Sequence, residues 1–215
     1  MIILIQIDDS GSGSLIGGTC IGVLRKETSE FYYDIIPLEL YQGTLFDRKV
    51  YLDRVVEIIK TLFKKMGVSK DEKIEVCRGY MFDKLRPWLK ENYYCYSNTT
   101  IGEPLQSLIE NTFEKYTVGL GLPNEFLTYT KYPFHFHRLL RWVYADYDIR
   151  VKLCKTGWKS WKKYGNIDLK TDSIYIKNSK YKCLKCWNII ENNSKVKMIK
   201  YYSNKPNVIY LHSNC

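Results

Sequence analysis

Four residues at the end of the chain have the types and spacing of a zinc site. Cys183 and Cys186 form a Cys-x2-Cys pair, and His212 and Cys215 form a His-x2-Cys pair. Zinc prefers four sulfur and nitrogen ligands in a tetrahedron, and ligands two residues apart can bind it from one turn. We predict one structural Zn²⁺ with no open coordination position. The alternative is that the two pairs are unrelated residues, one of them in a frayed terminus.

A small hydrophobic core also favours a metal in this segment. The apolar side chains between the two ligand pairs include Trp187, Ile189, Ile190, Met198, Ile199, Val208 and Ile209. A module with so little to bury usually needs a metal or a disulfide to stay folded. The ligand order over residues 183–215 resembles the poly(ADP-ribose) polymerase-type zinc fingers, which recognise DNA breaks. That resemblance implies nucleic acid as a partner.

Basic residues are concentrated in the same part of the chain. The formal net charge is +10, and residues 150–215 contain 15 Lys and Arg against 3 Asp and Glu. Such asymmetry favours a polyanionic partner, most simply DNA or RNA. Solubility is the alternative explanation.

One stretch mixes aromatic rings with lysines in a way that suits stacking on bases and contact with phosphates. The candidate nucleic-acid-binding residues are Lys155, Trp158, Lys159, Trp161, Lys162 and Lys163. Because Trp158 and Trp161 are three positions apart, they would share one helix face, and packing onto the domain is the alternative.

The cysteine count and the hydropathy indicate a cytoplasmic protein. Seven cysteines without a secretion signal do not resemble a disulfide framework. No apolar run approaches the ~20 residues that cross a bilayer, so we expect no membrane partner. A protein partner or a homodimer is compatible with the sequence.

The hydrophobic pattern predicts an α/β fold whose elements follow the order β-β-β-α-β-α-β-α. We predict strands at 2–8, 19–25, 31–41, 73–77 and 93–101, and helices from about 47 to 66, at 80–92 and at 104–116. A further helix is predicted around 138–153, continuing into the basic stretch that ends at Gly165. The predicted divisions are a domain at 1–164, a linker with one short strand at 165–180, and a zinc module at 181–215.

This order, with Asp8 ending the first strand before a glycine-rich turn, resembles the ribonuclease H-like superfamily over residues 1 to about 155. The resemblance implies a mixed sheet in which a carboxylate on the central first strand helps to bind a catalytic divalent metal. In the Holliday-junction-resolvase-like branch, a second carboxylate lies on the fourth strand, where this chain has Glu75, and acidic residues on a late helix close the site. Asp146 and Asp148 match those closing residues, and Glu103 and Glu110 compete for the role.

Each acidic candidate has a simpler interpretation. Asp9 is interpreted as a turn-stabilising residue rather than a ligand. Glu75 interrupts an apolar strand, where a charge needs a partner, but an edge strand would expose it. Asp146 and Asp148 are explained equally by a solvated helix face. His135 and His137 have no neighbouring acidic or sulfur ligand in the sequence, so we interpret them as partly buried structural residues.

The predicted function is a metal-dependent nuclease. Asp8, Glu75, Asp146 and Asp148 are its candidate catalytic residues, and Mg²⁺ or Mn²⁺ its catalytic metal, because phosphodiester cleavage by two metals needs several converging carboxylates. The alternatives are a nucleic-acid-binding scaffold with an inactive ribonuclease H-like fold and an adaptor whose zinc module binds an acidic protein.

Overall fold

A computed structural model describes residues 3–128, 132–177 and 180–215. The chain divides into two compact units: the first contains the chain up to Gly13 and Gly17–Gly121, and the second contains Ser14–Ile16 and Leu122–Cys215. Within the described ranges, every helix is too short or too polar to cross a membrane.

The first unit is built on a mixed five-stranded sheet. Its strands are β1 (Leu4–Ser10), β2 (Thr19–Arg25), β3 (Glu30–Ile36), β4 (Lys73–Cys77) and β5 (Tyr96–Thr99). Their order is β3-β2-β1-β4-β5, so β1 is central, antiparallel to β2 and parallel to β4. β2 and β4 have the predicted bounds. The first strand is predicted at 2–8, whereas β1 ends two residues later, at Ser10. Residue 2 lies outside the described residues.

The third strand is shorter than predicted because of Pro37. Proline has no backbone N–H and cannot donate to a sheet ladder. β3 therefore ends at Ile36, and the remaining predicted residues form a 3-10 turn at Leu38–Tyr41.

Three helices cover one face of this sheet. They are α1 (Gly43–Asp47), α2 (Val50–Met66) and α3 (Leu85–Glu91). The apolar stripe of α2 packs with Ile5, Ile7, Ile74 and Val76 in one buried core. Gly67 ends α2 with φ +63°, the left-handed conformation that glycine adopts without strain.

Helix α4 (Leu105–Gly119) packs against β1 and β2 on the opposite face. A Cβ atom on Gly22 would lie 2.8 Å from the Ile109 side chain. A Cβ on Gly11, whose φ is +86°, would lie 2.1 Å from the Phe113 ring. The absence of both side chains therefore allows α4 to approach the sheet closely.

The second unit combines short helices with a second sheet. The helices are α5 (Asn124–Leu127), α6 (Phe136–Tyr144), α7 (Tyr147–Arg150) and α8 (Lys159–Tyr164), and the strands are β6 (Lys170–Ile176), β7 (Ser194–Tyr202) and β8 (Pro206–His212). The three strands form an antiparallel sheet in the order β6-β7-β8.

The prediction of one long basic helix from residue 138 to Gly165 is wrong. Asp146 has the non-helical backbone angles φ −156° and ψ 67°, and it separates α6 from α7. Cys154 is extended and forms a bridge with Ile16, which ends the helical region again before α8. The helical periodicity of the sequence continues across both interruptions, so it could not reveal them.

The segment predicted as a linker contains all of β6, which pairs with β7 along its full length. The structure therefore places residues 170–176 in the same sheet as the end of the chain. The chain divides into its two compact units after Gly121, whereas the sequence predicts domain boundaries at 164 and 181.

Candidate metal centres

The four predicted zinc ligands lie together in the second unit. The ligand atoms of Cys183, Cys186, His212 and Cys215 are all within 4.8 Å of one another. The His212 Nδ1 atom is 3.3 Å from the Cys186 Sγ atom and 3.9 Å from the Cys215 Sγ atom. Ligands of one tetrahedral zinc are separated by about 3.5–4 Å, given bonds of 2.0–2.3 Å. The cluster can therefore hold a metal ion such as zinc. No other group of three or more His, Cys, Asp or Glu side chains in the described ranges has its ligand atoms gathered this closely, and the carboxylates of the first unit are not so gathered.

A tight turn positions the first cysteine pair. The Trp187 amide donates to the Cys183 carbonyl over 2.7 Å, and the Cys183 amide donates to the Asn188 carbonyl over 2.9 Å. Trp187 has φ +65°, so the chain turns back after Cys186, and Lys182 and Ile189 form a bridge that closes the turn. We call residues 183–186 the knuckle. The second ligand pair follows at the end of β8.

The backbone of the cluster favours a thiolate at Cys183. Burial alone would raise the pKa of this thiol. Backbone hydrogen bonds from Cys186, His212 and Lys185 outweigh that effect and lower the pKa of Cys183 to about 7. A thiolate is the form that binds a metal, so the folded chain prepares this sulfur as a ligand.

His212 is oriented by a contact outside the cluster. Its Nε2 atom lies 3.2 Å from the Ile189 carbonyl oxygen. With a hydrogen on Nε2, the imidazole donates to that carbonyl and leaves the Nδ1 lone pair facing the sulfurs. Metal-ligating histidines are usually held by such a hydrogen bond on the other ring nitrogen.

Arg150 supports the knuckle from α7. This buried guanidinium donates to the carbonyls of Leu184 and Lys185, both over 2.8 Å, and to the Trp142 carbonyl over 2.7 Å. Its central carbon also lies 4.0 Å from the centroid of the Trp142 ring. Sequence reasoning missed this residue, because nothing in the sequence indicates that an arginine binds carbonyls 34 and 35 positions downstream.

The two late aspartates also lie in the second unit. The Asp146 carboxylate lies 3.2 Å from the ammonium group of Lys185, which is a residue of the knuckle. Asp148 is exposed in α7. The structure thus gives Asp146 a partner beside the Cys/His cluster.

Asp8 and Glu75 lie on the same face of the first unit's sheet. In the β1–β4 register Gln6 is opposite Glu75, and the Gln6 Nε2 atom donates to the Glu75 carboxylate over 2.9 Å. Alternate residues of a strand share a face, so Asp8 lies on the Gln6 face. Burial of Ile5 and Ile7 against α2 assigns the other face to the main core. The acidic pair therefore faces the side covered by α4.

Asp8 is buried, with 9% of its surface exposed, and lies two residues before the carboxyl-terminal end of the central strand. Burial raises the pKa of its carboxyl. Hydrogen bonds from the Cys77 side chain and the Asp9 amide oppose that rise, and the negative charge of Glu110 adds to it. The surroundings of Asp8 therefore disfavour its charged form unless a cation joins it.

The competing acidic residues differ in their surroundings. Glu110 is exposed on α4 but close enough to Asp8 to affect its pKa. Asp9 lies beside Gly79, where a Cβ atom would be 3.6 Å from the Asp9 carboxylate. Glu103 accepts a hydrogen bond from the Ser107 hydroxyl over 2.6 Å. Of these, Glu110 is the carboxylate most directly coupled to Asp8.

The predicted nucleic-acid-binding stretch is only partly on the surface. Lys155 is fully buried, with its Nζ atom 5.4 Å from the centroid of the Trp158 ring. It has no exposed surface with which to contact a phosphate. Trp158 precedes α8, and Trp161 packs so closely on Gly165 that a Cβ there would lie 2.3 Å from its ring. The exposed lysines of the stretch are Lys159, Lys162 and Lys163.

No protein-family profile matches the chain, and no curated protein is significantly similar to it.

Proposed function

We propose that the protein is a metal-dependent nucleic-acid phosphodiesterase of ribonuclease H-like fold, with a zinc-stabilised basic region that binds the nucleic acid. The observation that carries the proposal is the position of Asp8. It lies near the carboxyl-terminal end of the central strand and is buried on the same face as Glu75. The strand order β3-β2-β1-β4-β5, with β1 central, supports the likeness to that superfamily.

The residues proposed to bind Mg²⁺ or Mn²⁺ are Asp8, Glu75 and Glu110. Their ligand atoms are not gathered as closely as those of the Cys/His cluster, so the proposal requires the cation to draw them together. Carboxylate oxygens are the ligands that these cations prefer. When bound, the cation would activate water and stabilise charge on the phosphate. Gln6 fixes the Glu75 carboxylate through its amide, and Cys77 and the Asp9 amide fix Asp8. In the reaction a water oxygen bonds to phosphorus, the bond from phosphorus to the leaving oxygen breaks, and that oxygen takes up a proton.

The second unit is proposed to bind the nucleic acid without reading its sequence. Zn²⁺ held by Cys183, Cys186, His212 and Cys215 would be structural, because four protein ligands leave no open position. Exposed lysines such as Lys159 and Lys163 provide phosphate contacts. The charge of residues 150–215 favours a polyanion over a neutral or basic partner.

The proposal is tested by a cleavage assay with Mg²⁺ or Mn²⁺ on labelled linear and branched DNA and RNA. We expect Asp8→Asn and Glu75→Gln to abolish cleavage while zinc content and nucleic-acid binding remain. Glu91→Gln is the control, because it removes an exposed carboxylate on α3, which packs on the other face of the sheet. Cleavage that survives both active-site substitutions would exclude this site.

A non-catalytic nucleic-acid-binding protein is the second candidate. Two of the predicted metal ligands already have protein partners, since Glu75 accepts from Gln6 and Asp146 pairs with Lys185. Salt-sensitive binding of DNA or RNA, without cutting any substrate in the same assay, would favour this candidate.

A further inference from the structure

A basic pocket of ≈ 190 Å³ lies beside α6 in the second unit. Its volume equals that of several water molecules at about 30 Å³ each, enough for one tetrahedral anion. The residues that give the pocket its character are His135, His137, Arg138, Arg141, Lys205 and Asn207. The described lining contains no Asp or Glu, so positive charge there is not balanced from within.

The two histidines form one wall. Their ring centroids are 5.8 Å apart, and the His137 ring packs edge-on against Tyr164 at 5.0 Å. The His137 Nδ1 atom is buried and has no hydrogen-bond partner among the described residues. Burial lowers the pKa of His137, and the nearby His135 lowers it further. An anion in the pocket would give the His137 ring a hydrogen-bond partner. It would also reduce the charge repulsion between His135 and His137.

The two arginines are held in place by backbone carbonyls. Arg138 donates through Nη2 to the Phe126 carbonyl, and its guanidinium lies 4.2 Å from the Phe126 ring centroid. Its buried Nε atom has no partner among the described residues. Arg141 donates through Nη2 to the Val208 carbonyl over 3.0 Å. Each guanidinium is anchored by one nitrogen, and arginine has further N–H groups in a geometry that suits phosphate.

The turn between β7 and β8 completes the pocket. The Asn207 amide donates to the Ser203 hydroxyl over 3.1 Å and to the Lys205 carbonyl over 2.7 Å. Because both hydrogens of that amide are used within the turn, Asn207 fixes the turn rather than donating to a ligand. Lys205 is exposed and lines the pocket from this fixed turn.

We propose that this pocket binds a phosphate group of a nucleic-acid strand. Two imidazoles, two anchored guanidiniums and one ammonium surround a space without carboxylates, and phosphate is the anion that matches this set in charge and in acceptors. Inorganic phosphate has the same chemistry. The identification of nucleic acid as the source of the bound phosphate group rests on the proposed function. Phosphate binding itself does not depend on cleavage.

The test uses the imidazole NMR signals of the zinc-loaded full chain at constant pH and ionic strength. The sequence has three histidines, and His212 in the metal cluster is an internal reference. We expect inorganic phosphate to shift the His135 and His137 signals saturably and to leave His212 unchanged. Failure of the His137 signal to respond up to ~10 mM phosphate, where sites of useful affinity are filled, would overturn the proposal.

Substitutions then assign the contacts. Arg141→Gln should weaken phosphate binding about tenfold, the value of one charge-assisted hydrogen bond. Lys205→Gln should weaken it too, and this exposed residue is the second variant in case Arg141→Gln does not fold. Lys195→Gln is the control, since it removes an exposed charge from β7 away from the pocket lining. An equal effect of all three substitutions would show general charge attraction and reject the site.

A last comparison distinguishes the sources of phosphate. Oligonucleotides of one sequence, with and without a 5′-phosphate, are titrated without Mg²⁺ or Mn²⁺ so that no cleavage occurs. Shifts of His135 and His137 by either oligonucleotide, weakened by Arg141→Gln, support nucleic acid, and a preference for the 5′-phosphate assigns the strand end. If only inorganic phosphate shifts these signals, nucleic acid is rejected as the ligand of the pocket. The phosphate site would then stand on its own, and the cleavage assay would still decide the proposed function.

Discussion

Asp8 and Gly22 lie directly opposite each other in the register of β1 and β2. The missing side chain of Gly22 admits Ile109, and α4 thereby packs over the part of the sheet that carries Asp8. Glu110 follows Ile109 on that helix and acts electrostatically on Asp8. One glycine therefore helps to bring the acidic residues of two elements together.

We expect Gly22→Ala to destabilise the protein by about 1–3 kcal/mol, the usual cost of overpacking a close contact. The added Cβ would lie 2.8 Å from the end of the Ile109 side chain and 3.1 Å from the Phe31 ring, so these side chains or α4 itself must shift. The free energy of unfolding from urea titration measures the effect. Gly102→Ala is the control, because nothing lies within 4 Å of its added Cβ. Equal stability of the two variants would contradict the packing described.

We expect Asp8→Asn to increase stability at pH 7 in buffers without Mg²⁺ or Mn²⁺. The pKa of Asp8 is raised in the folded chain, mainly by burial, so the folded state holds its proton more tightly than the unfolded state. The stability that this provides is complete below the unfolded pKa of about 3.9. It is lost as the pH rises through the folded pKa, where the buried carboxylate becomes unfavourable. Asparagine avoids that loss.

Urea titrations at pH 3.5 and pH 7 measure the difference. The gain from Asp8→Asn should be larger at pH 7. Addition of Mg²⁺ or Mn²⁺ should then raise the melting temperature of the unsubstituted protein more than that of the variant, because a cation that binds only the folded state stabilises it. A gain that does not depend on pH would show that the carboxylate is not the cause.

The purified protein should contain one zinc per chain. Removing it with a chelator should disrupt the fold around the cluster, since a small module of this kind usually depends on its metal for folding. Metal analysis measures the stoichiometry, and the signals of β7 and β8 in NMR report the fold. Cys186→Ser should reduce zinc retention, whereas Cys95→Ser, an exposed cysteine of the first unit, should not. Full zinc content in Cys186→Ser would remove this sulfur from the ligand set.

The sequence predicted the parts of the structure that depend on local spacing. The gathering of the four Cys and His side chains follows from two short pairs, and β2 and β4 follow from apolar runs between polar turns. The interruptions at Asp146 and Cys154 were not predictable, because both residues sit within a pattern that is periodic on each side. Burial of Lys155 and the contacts of Arg150 depend on residues far along the chain, and a single sequence does not show which distant groups will be neighbours.

The Arg150 contacts lead to a prediction about metal affinity. Arg150→Gln removes the guanidinium that donates to the Leu184 and Lys185 carbonyls of the knuckle. Loss of a group that orients metal ligands usually weakens binding by about 10–100-fold. A competition titration with a zinc-binding dye measures this change. Lys152→Gln, which removes an exposed charge two positions away, should keep normal affinity. If both variants bind zinc equally well, Arg150 is a packing residue of α7 and Trp142 and does not position the metal site.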